Sequence, residues 1–287
     1  MGLVLAIMIR KGGSGKSTTT VNLGFLCAKV GMRVLVVDCD EQGNSGSILG
    51  IKRKKDEISH NDVYDLLFTD RDPHELITES PFAGIKIIPA PDERRDVTIG
   101  DDLAVLADKD REKAELLLQK RLQPLKDDFD VIIIDAPPAK GIISNTIICA
   151  ANRVITPVNL ERLAYEGVKM LFRDVTNLKS KYNLRIKYSG TLFTKVQLNK
   201  SLQKEAYDAF KKSFGEYAIN QTIRMCAAVD EANSLQRPLY LTKKGKRCTA
   251  GTDYILAMKE IGMLNDDQVK ELLEEYGDMK TRKGIKF

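Results

Sequence analysis

What the chain lacks narrows its function first. No apolar stretch approaches the roughly 18 residues that a membrane span needs, so no integral membrane protein is expected. The first apolar run, residues 3–9, leads straight into a glycine-rich charged loop with no cleavage-like site, so no secretory leader is expected either. Cysteines number five (Cys27, Cys39, Cys149, Cys226, Cys248), widely spaced and without a Cys-x-x-Cys pair. That argues against a disulfide framework or structural zinc and for free thiols in a reducing cytoplasm. The two histidines, His60 and His74, have no metal-ligand spacing, which leaves histidine catalysis unsupported. Internal repeats, low-complexity tracts and Pro/Gly-rich linkers are also missing.

What remains is a chain able to bury a large core. Of its 287 residues 43% are apolar and 30% charged, and the net charge of +5 is mildly basic, which suggests an anionic partner. Residues 3–9 read as a strand buried on both faces. Leu23, Leu26, Cys27 and Val30 then fall on one helical stripe, stopped by Gly31. Residues 34–37 are a second buried strand ending at Asp38, which completes a βαβ unit. Strands are expected again at 131–134, ending at Asp135, and at 153–157 and 185–193. Helices are expected at 61–68 and 110–122, through the stripe Val168, Leu171, Phe172, Val175 and Leu178, and near Leu202–Phe210. The expected fold is α/β, one doubly wound and mostly parallel sheet with helices on both faces over residues 1–264. Residues 265–287 add a C-terminal helix, about 266–276, and a basic tail.

Between the first strand and first helix stands Lys11-Gly12-Gly13-Ser14-Gly15-Lys16-Ser17-Thr18. Glycines let a backbone curl around phosphates, and successive N–H groups at a helix start then face the anion. Lys16 supplies a point charge to the β- and γ-phosphates, and the Ser17 hydroxyl can ligate magnesium. The first glycine of the standard phosphate-loop pattern is replaced by Arg10. A second lysine, Lys11, is left over for another task.

This segment resembles the deviant Walker A loop of the ParA/MinD group of P-loop ATPases. The resemblance continues through Asp38-Cys39-Asp40-Glu41-Gln42-Gly43-Asn44, similar to the family's switch I, and Asp135-Ala136-Pro137-Pro138, similar to its Walker B segment. It extends through residues 153–158 with Glu161 and Gly167, and through Glu231-Ala232 with Arg237-Pro238-Leu239. It spans about residues 1–262 and is nearest to ParA, the plasmid or chromosome partition ATPase.

The resemblance implies ATP and Mg2+ as ligands. It implies that Lys11 crosses a dimer interface to the partner's ATP, that Asp40 orients or activates the attacking water, and that Ser17, Asp38 and Asp135 serve the magnesium. Phosphoryl transfer mostly requires positioning and charge compensation, which Lys11, Lys16 and Asp40 can supply. The chain departs from the family at Ser14, Ser17, Glu41 and Ala136. Arg224 follows Ile223 where an Ile-Pro pair is frequent, so no base contacts are assigned.

Between Glu231 and Asp253 there is no acidic residue, yet Arg237, Lys243, Lys244, Lys246 and Arg247 are present; the tail adds Lys280, Arg282, Lys283 and Lys286. Such clusters neutralise phosphates without reading sequence. Lys243, Lys244, Lys246 and Arg247 are the candidate DNA contacts. No helix-turn-helix precedes Leu3, so transcriptional self-repression is not expected. The leading expectation is an ATP-dependent homodimer that binds nonspecific DNA of the nucleoid, has weak ATPase activity and is stimulated by a ParB-type centromere-binding protein. The alternatives are a MinD-like membrane switch, which needs an amphipathic C-terminal helix, and an enzyme related to nitrogenase iron protein or dethiobiotin synthetase.

Overall fold

Continuous apolar strands with polar ends pair into a sheet that water reaches only at its rims. The computed structural model describes residues 2–53, 56, 58–161, 164–182, 184–197, 201–278 and 281. Its sheet contains β1 (Leu3–Ile7), β2 (Val34–Asp38), β3 (Thr78–Glu79), β4 (Ile85–Ile88), β5 (Val131–Asp135), β6 (Arg153–Asn159) and β7 (Lys187–Thr194), in the order β3-β4-β2-β5-β1-β6-β7. All pairings are parallel except β3 with β4. The expected doubly wound α/β fold is therefore present.

The strand runs look uniform in sequence but divide between two cores by the two-residue period of a strand. Val4, Ala6, Leu35, Val37, Ile132 and Ile134 face one core. Leu5, Ile7, Val34, Val36, Val131 and Ile133 face the other. The first face is covered by α3 (Val63–Phe68), α4 (Ile99–Lys109), α5 (Arg111–Leu122), α6 (Ile142–Ala150) and α7 (Ala164–Tyr182), with Phe210 of α8 (Ser201–Phe214). The second is covered by α1 (Lys16–Lys29), α2 (Asn44–Ile48), α9 (Ala227–Ser234), α10 (Thr249–Glu260) and α11 (Asp266–Tyr276).

Caps explain several boundaries. Asp62 and Asp110 accept N–H groups at the starts of α3 and α5, so both acids lie just outside the helices. Asn265 and Gln268 form a capping box that starts α11 at Asp266. The first helix departs from a one-stripe reading. Residues 19–27 of α1 are all buried, because the sheet lies on one side and α10 with α11 on the other. There Phe25 stacks on Tyr240 at 5.3 Å between ring centroids and meets Tyr276 of α11 edge-on at 5.9 Å. The tail cations Lys280, Arg282, Lys283 and Lys286 lie outside the described residues.

Candidate functional site

The topology brings the carboxyl ends of β1, β2 and β5 side by side, where an open parallel sheet binds ligands. After β1 the chain turns through Gly13 and Gly15, whose φ angles of 70° and 86° lie in the left-handed region that side chains resist. Gly15 is the N-cap of α1, with no side-chain cap and no acidic residue in the first turn. The first-turn N–H groups are thus left for an anion. They border a cavity of about 570 Å³ lined by residues 12–18, Asp40, Gln42, Asn44, Thr194, Lys195, residues 223–226, Asp230 and Asn233. Lys16 is 6% exposed. Burial lowers its pKa, while the charges of Asp135 and Asp40 oppose that shift.

Asp38 and Asp135 are register partners on adjacent parallel strands, a juxtaposition that residues 97 apart in sequence cannot announce. Both are fully buried beneath the cavity. Asp38 accepts the Gly46 N–H at 3.0 Å and the Asp40 N–H at 3.3 Å, so it shapes the turn that carries Asp40. Asp135 Oδ2 accepts the Ser45 hydroxyl at 2.7 Å, and its Oδ1 is buried without a partner. Burial pushes both carboxyls up, Asp38 further through the charge of Asp135, and Asp135 to about 6 against the hydroxyls of Ser17 and Ser45. Asp40 reaches the cavity wall and accepts the Gln42 N–H at 3.2 Å.

An orphaned carboxylate oxygen beside the Ser17 hydroxyl fits magnesium, which takes much of its shell from phosphate and water and needs few protein ligands. Among the described residues no cluster of three or more His, Cys, Asp or Glu forms an all-protein cage. Asp135 and Ser17 could hold the ion; each oxygen of Asp38 accepts one backbone N–H.

Lys11 turns away from this cavity. It is absent from the lining, 43% exposed at its side chain, and ion-paired with Glu161 beyond β6. Of the two loop lysines, then, only Lys16 faces the pocket of its own chain.

Part of the cavity wall was not assigned from sequence. Thr194, at the end of β7, reaches the Ser14 carbonyl at 3.0 Å and Asn159 Oδ1 at 2.9 Å. Lys195 follows at φ 54°, its Nζ 3.5 Å from the Gly13 carbonyl. Asn233 on α9 bonds Thr18 Oγ1 at 3.1 Å. Asn233 follows Glu231-Ala232 directly, so the family-like motif held a signal for it; Thr194 had none beyond ending an apolar strand.

The candidate DNA contacts are all exposed, but they are less free than their sequence window suggests. Lys244 pairs with Glu231 of α9 at 2.7 Å. Lys246 lies 5.9 Å from the Tyr276 ring centroid, and Arg247 donates to the carbonyls of Glu274 and Glu275 at the end of α11. Their loop turns on Gly245, where a Cβ would lie 1.9 Å from the Leu239 carbonyl oxygen.

A phosphate loop at the head of a parallel sheet, a buried lysine and carboxylates from two neighbouring strand ends define a P-loop nucleotide-binding protein. A family model described as an AAA domain matches residues 2–188. The chain is 33% identical to the sporulation initiation inhibitor protein Soj of Bacillus subtilis, covering 84% of this chain and 91% of that protein. It is 31% identical to the chromosome-partitioning ATPase Soj of Treponema pallidum, covering 91% and 97%. A McdA variant from Cyanothece, solved as an ATP complex, superposes with a TM-score of 0.79 at 21% identity over 92% of this chain and 98% of that one, a likeness of fold. The chain belongs to the ParA family of partition ATPases.

Proposed function

We propose that the protein is an ATP-dependent dimerisation switch that hydrolyses ATP weakly, binds DNA without sequence preference and acts in plasmid or chromosome partition. The observation that carries this reading is the division of labour between the two loop lysines. Lys16 is buried against Asp40 and Asp135, whereas Lys11 sits outside the cavity on an exposed ion pair. A cation there is available to a nucleotide on a facing subunit once Glu161 releases it. Dimer formation would then follow nucleotide state, as a two-state switch requires.

Within one subunit the first-turn N–H groups of α1 and Lys16 hold the phosphates. Ser17 and Asp135 would hold magnesium, which would neutralise phosphate charge. Asp40, at the cavity wall, orients the attacking water, and Asp38 keeps Asp40 in place through the turn it caps. The basic loop at 243–247 offers phosphate contacts for DNA, and a ParB-type protein is the partner expected to stimulate turnover. Nucleoid association follows from the DNA binding.

The test is parallel cosedimentation with nonspecific duplex DNA and with anionic liposomes, under ATP, ADP and no nucleotide, at two salt concentrations. ATP-dependent, salt-sensitive binding to DNA alone is the expected result. ATP-dependent binding to liposomes alone would replace this reading with a MinD-like membrane switch. Binding to neither surface would leave a nucleotide-dependent enzyme.

A further inference from the structure

The residue after Ile223 joins three parts of the molecule. Arg224 belongs to the stretch 223–226 that walls the nucleotide cavity. That stretch is held to the end of β7 by Val196 N–H to the Ile223 carbonyl and Met225 N–H to the Val196 carbonyl, each 3.0 Å. On its other side Arg224 grips α10. Its backbone N–H donates to Asp253 Oδ2 at 2.9 Å, Nε to the same oxygen at 2.9 Å, and Nη2 to Oδ1 at 2.7 Å. Asp253 is 1% exposed, so this fork compensates a buried charge.

The same guanidinium reaches the chain beyond α11. Nη2 donates to Thr281 Oγ1 at 3.2 Å and lies 4.0 Å from Asp278 Oδ2. Asp278 is itself tied to α10 through its N–H to Thr252 Oγ1 at 2.8 Å, and the Thr281 N–H donates to Asp278 Oδ1 at 3.0 Å. A proline at 224 could supply neither the N–H nor the fork.

We infer that Arg224 is a positioning residue that sets the wall of the nucleotide cavity at residues 223–226 and, through Asp278 and Thr281, couples filling of that cavity to the root of the basic tail. The inference rests on the nucleotide-binding reading above. A ligand packed against 223–226 favours the arrangement in which Arg224 is clamped on Asp253, and that arrangement also holds Thr281. The hydrogen bonds that hold Arg224 run to Asp253 and Thr281, with none to Lys16 or Asp40, so ADP and ATP act alike and the tail root reports occupancy, not the γ-phosphate. Linkage is reciprocal: an anion that engages the tail changes nucleotide affinity by the same factor as nucleotide changes the anion's.

The experiment is hydrogen exchange by mass spectrometry on the full chain, following the C-terminal peptide from residue 277, with no nucleotide, ADP or ATP. Calorimetry on the same samples establishes that nucleotide is bound. Nucleotide is expected to slow exchange at Asp278 and Thr281 about threefold or more, with ADP as effective as ATP. Arg224→Gln should abolish that slowing and weaken both nucleotides several-fold, and Arg224→Lys should restore part of each. Asp253→Asn, which keeps the volume and an acceptor, should reproduce the Arg224→Gln result if the larger change unfolds the chain. Exchange at the C-terminal peptide that ignores bound nucleotide, or an Arg224→Gln protein with unchanged protection and affinity, would overturn the coupling. Failure of the unaltered chain to bind either nucleotide would instead overturn the reading on which it rests.

Discussion

Asp135→Asn should make the nucleotide-free protein more stable at neutral pH while removing its response to magnesium and ATP. Asp135 is fully buried, shares its sheet register with Asp38, and has one oxygen without a partner. Its carboxyl titrates near 6 where an ordinary aspartate titrates at 3.8. At about 1.36 kcal/mol per tenfold change in acidity, holding it charged at neutral pH costs about 3 kcal/mol. An acid whose folded pKa is raised contributes stability that is complete below the unfolded pKa and is lost as pH climbs through the folded one. The window is therefore about 3.8 to 6, and above it the nucleotide-free site stores strain. Asparagine keeps an acceptor for Ser45, but its amide must sit where Oδ1 has no partner, at a cost of about 1 kcal/mol. The net gain is about 2 kcal/mol, or about 4 °C for a chain of this size. Thermal melts without nucleotide across pH 4 to 8 check this: the variant should melt higher above pH 6, the gap should close as Asp135 protonates, and near pH 4 the variant should melt slightly lower because of its unpaired amide. Adding Mg·ATP should raise the melting point of the unaltered protein only. A variant that melts below the unaltered protein at pH 7.5 would refute the reasoning. Asp38→Asn would not add independently, because the two carboxylates repel each other.

Lys11→Ala should bind ATP normally yet stay monomeric by sizing in Mg·ATP; a normal dimer would sink the proposed role of that lysine. Asp40→Ala should bind and dimerise but lose most partner-stimulated turnover in a phosphate-release assay. Burial alone would raise the Glu115 carboxyl, but donors from Lys181, Tyr182 and Asn145 hold it at about 2 against the usual 4.5. Stability from this group is therefore present above pH 4.5 and lost as pH falls toward 2, about 2 kcal/mol once the half-exposed Lys181 is allowed for. Glu115→Gln should flatten that part of an acid-denaturation curve. Gly245→Ala forces a Cβ against the Leu239 carbonyl and should cost about 2 kcal/mol or more in urea unfolding while weakening DNA binding.

Local signals located most of the site's parts. A loop of glycines and lysines after an apolar strand can be read one residue at a time, because phosphate binding by a helix start is a property of contiguous backbone. Asp38 and Asp135 were legible for the same reason, each ending an apolar run. Less visible were β4 and the helices α4, α6, α9 and α10, whose burial depends on what packs over them. The short apolar stretch at 85–88 is a strand because β2 offers its edge, and α6, buried over most of its length, carries no one-sided stripe.

By itself, then, the sequence determined the βα alternation, the phosphate loop and the acids at strand ends, all consequences of neighbours along the chain. Only the tertiary structure decided that Lys11 pairs with Glu161 outside the cavity, that Asp38 spends its oxygens on a turn while Asp135 keeps one unpaired, and that Glu231 and α11 take up part of the basic loop's charge. Those outcomes follow from parallel strand register and from helices packed over the second sheet face, which bring together residues tens to hundreds of positions apart. Distances of that kind are set by the whole core and leave no trace in local spacing.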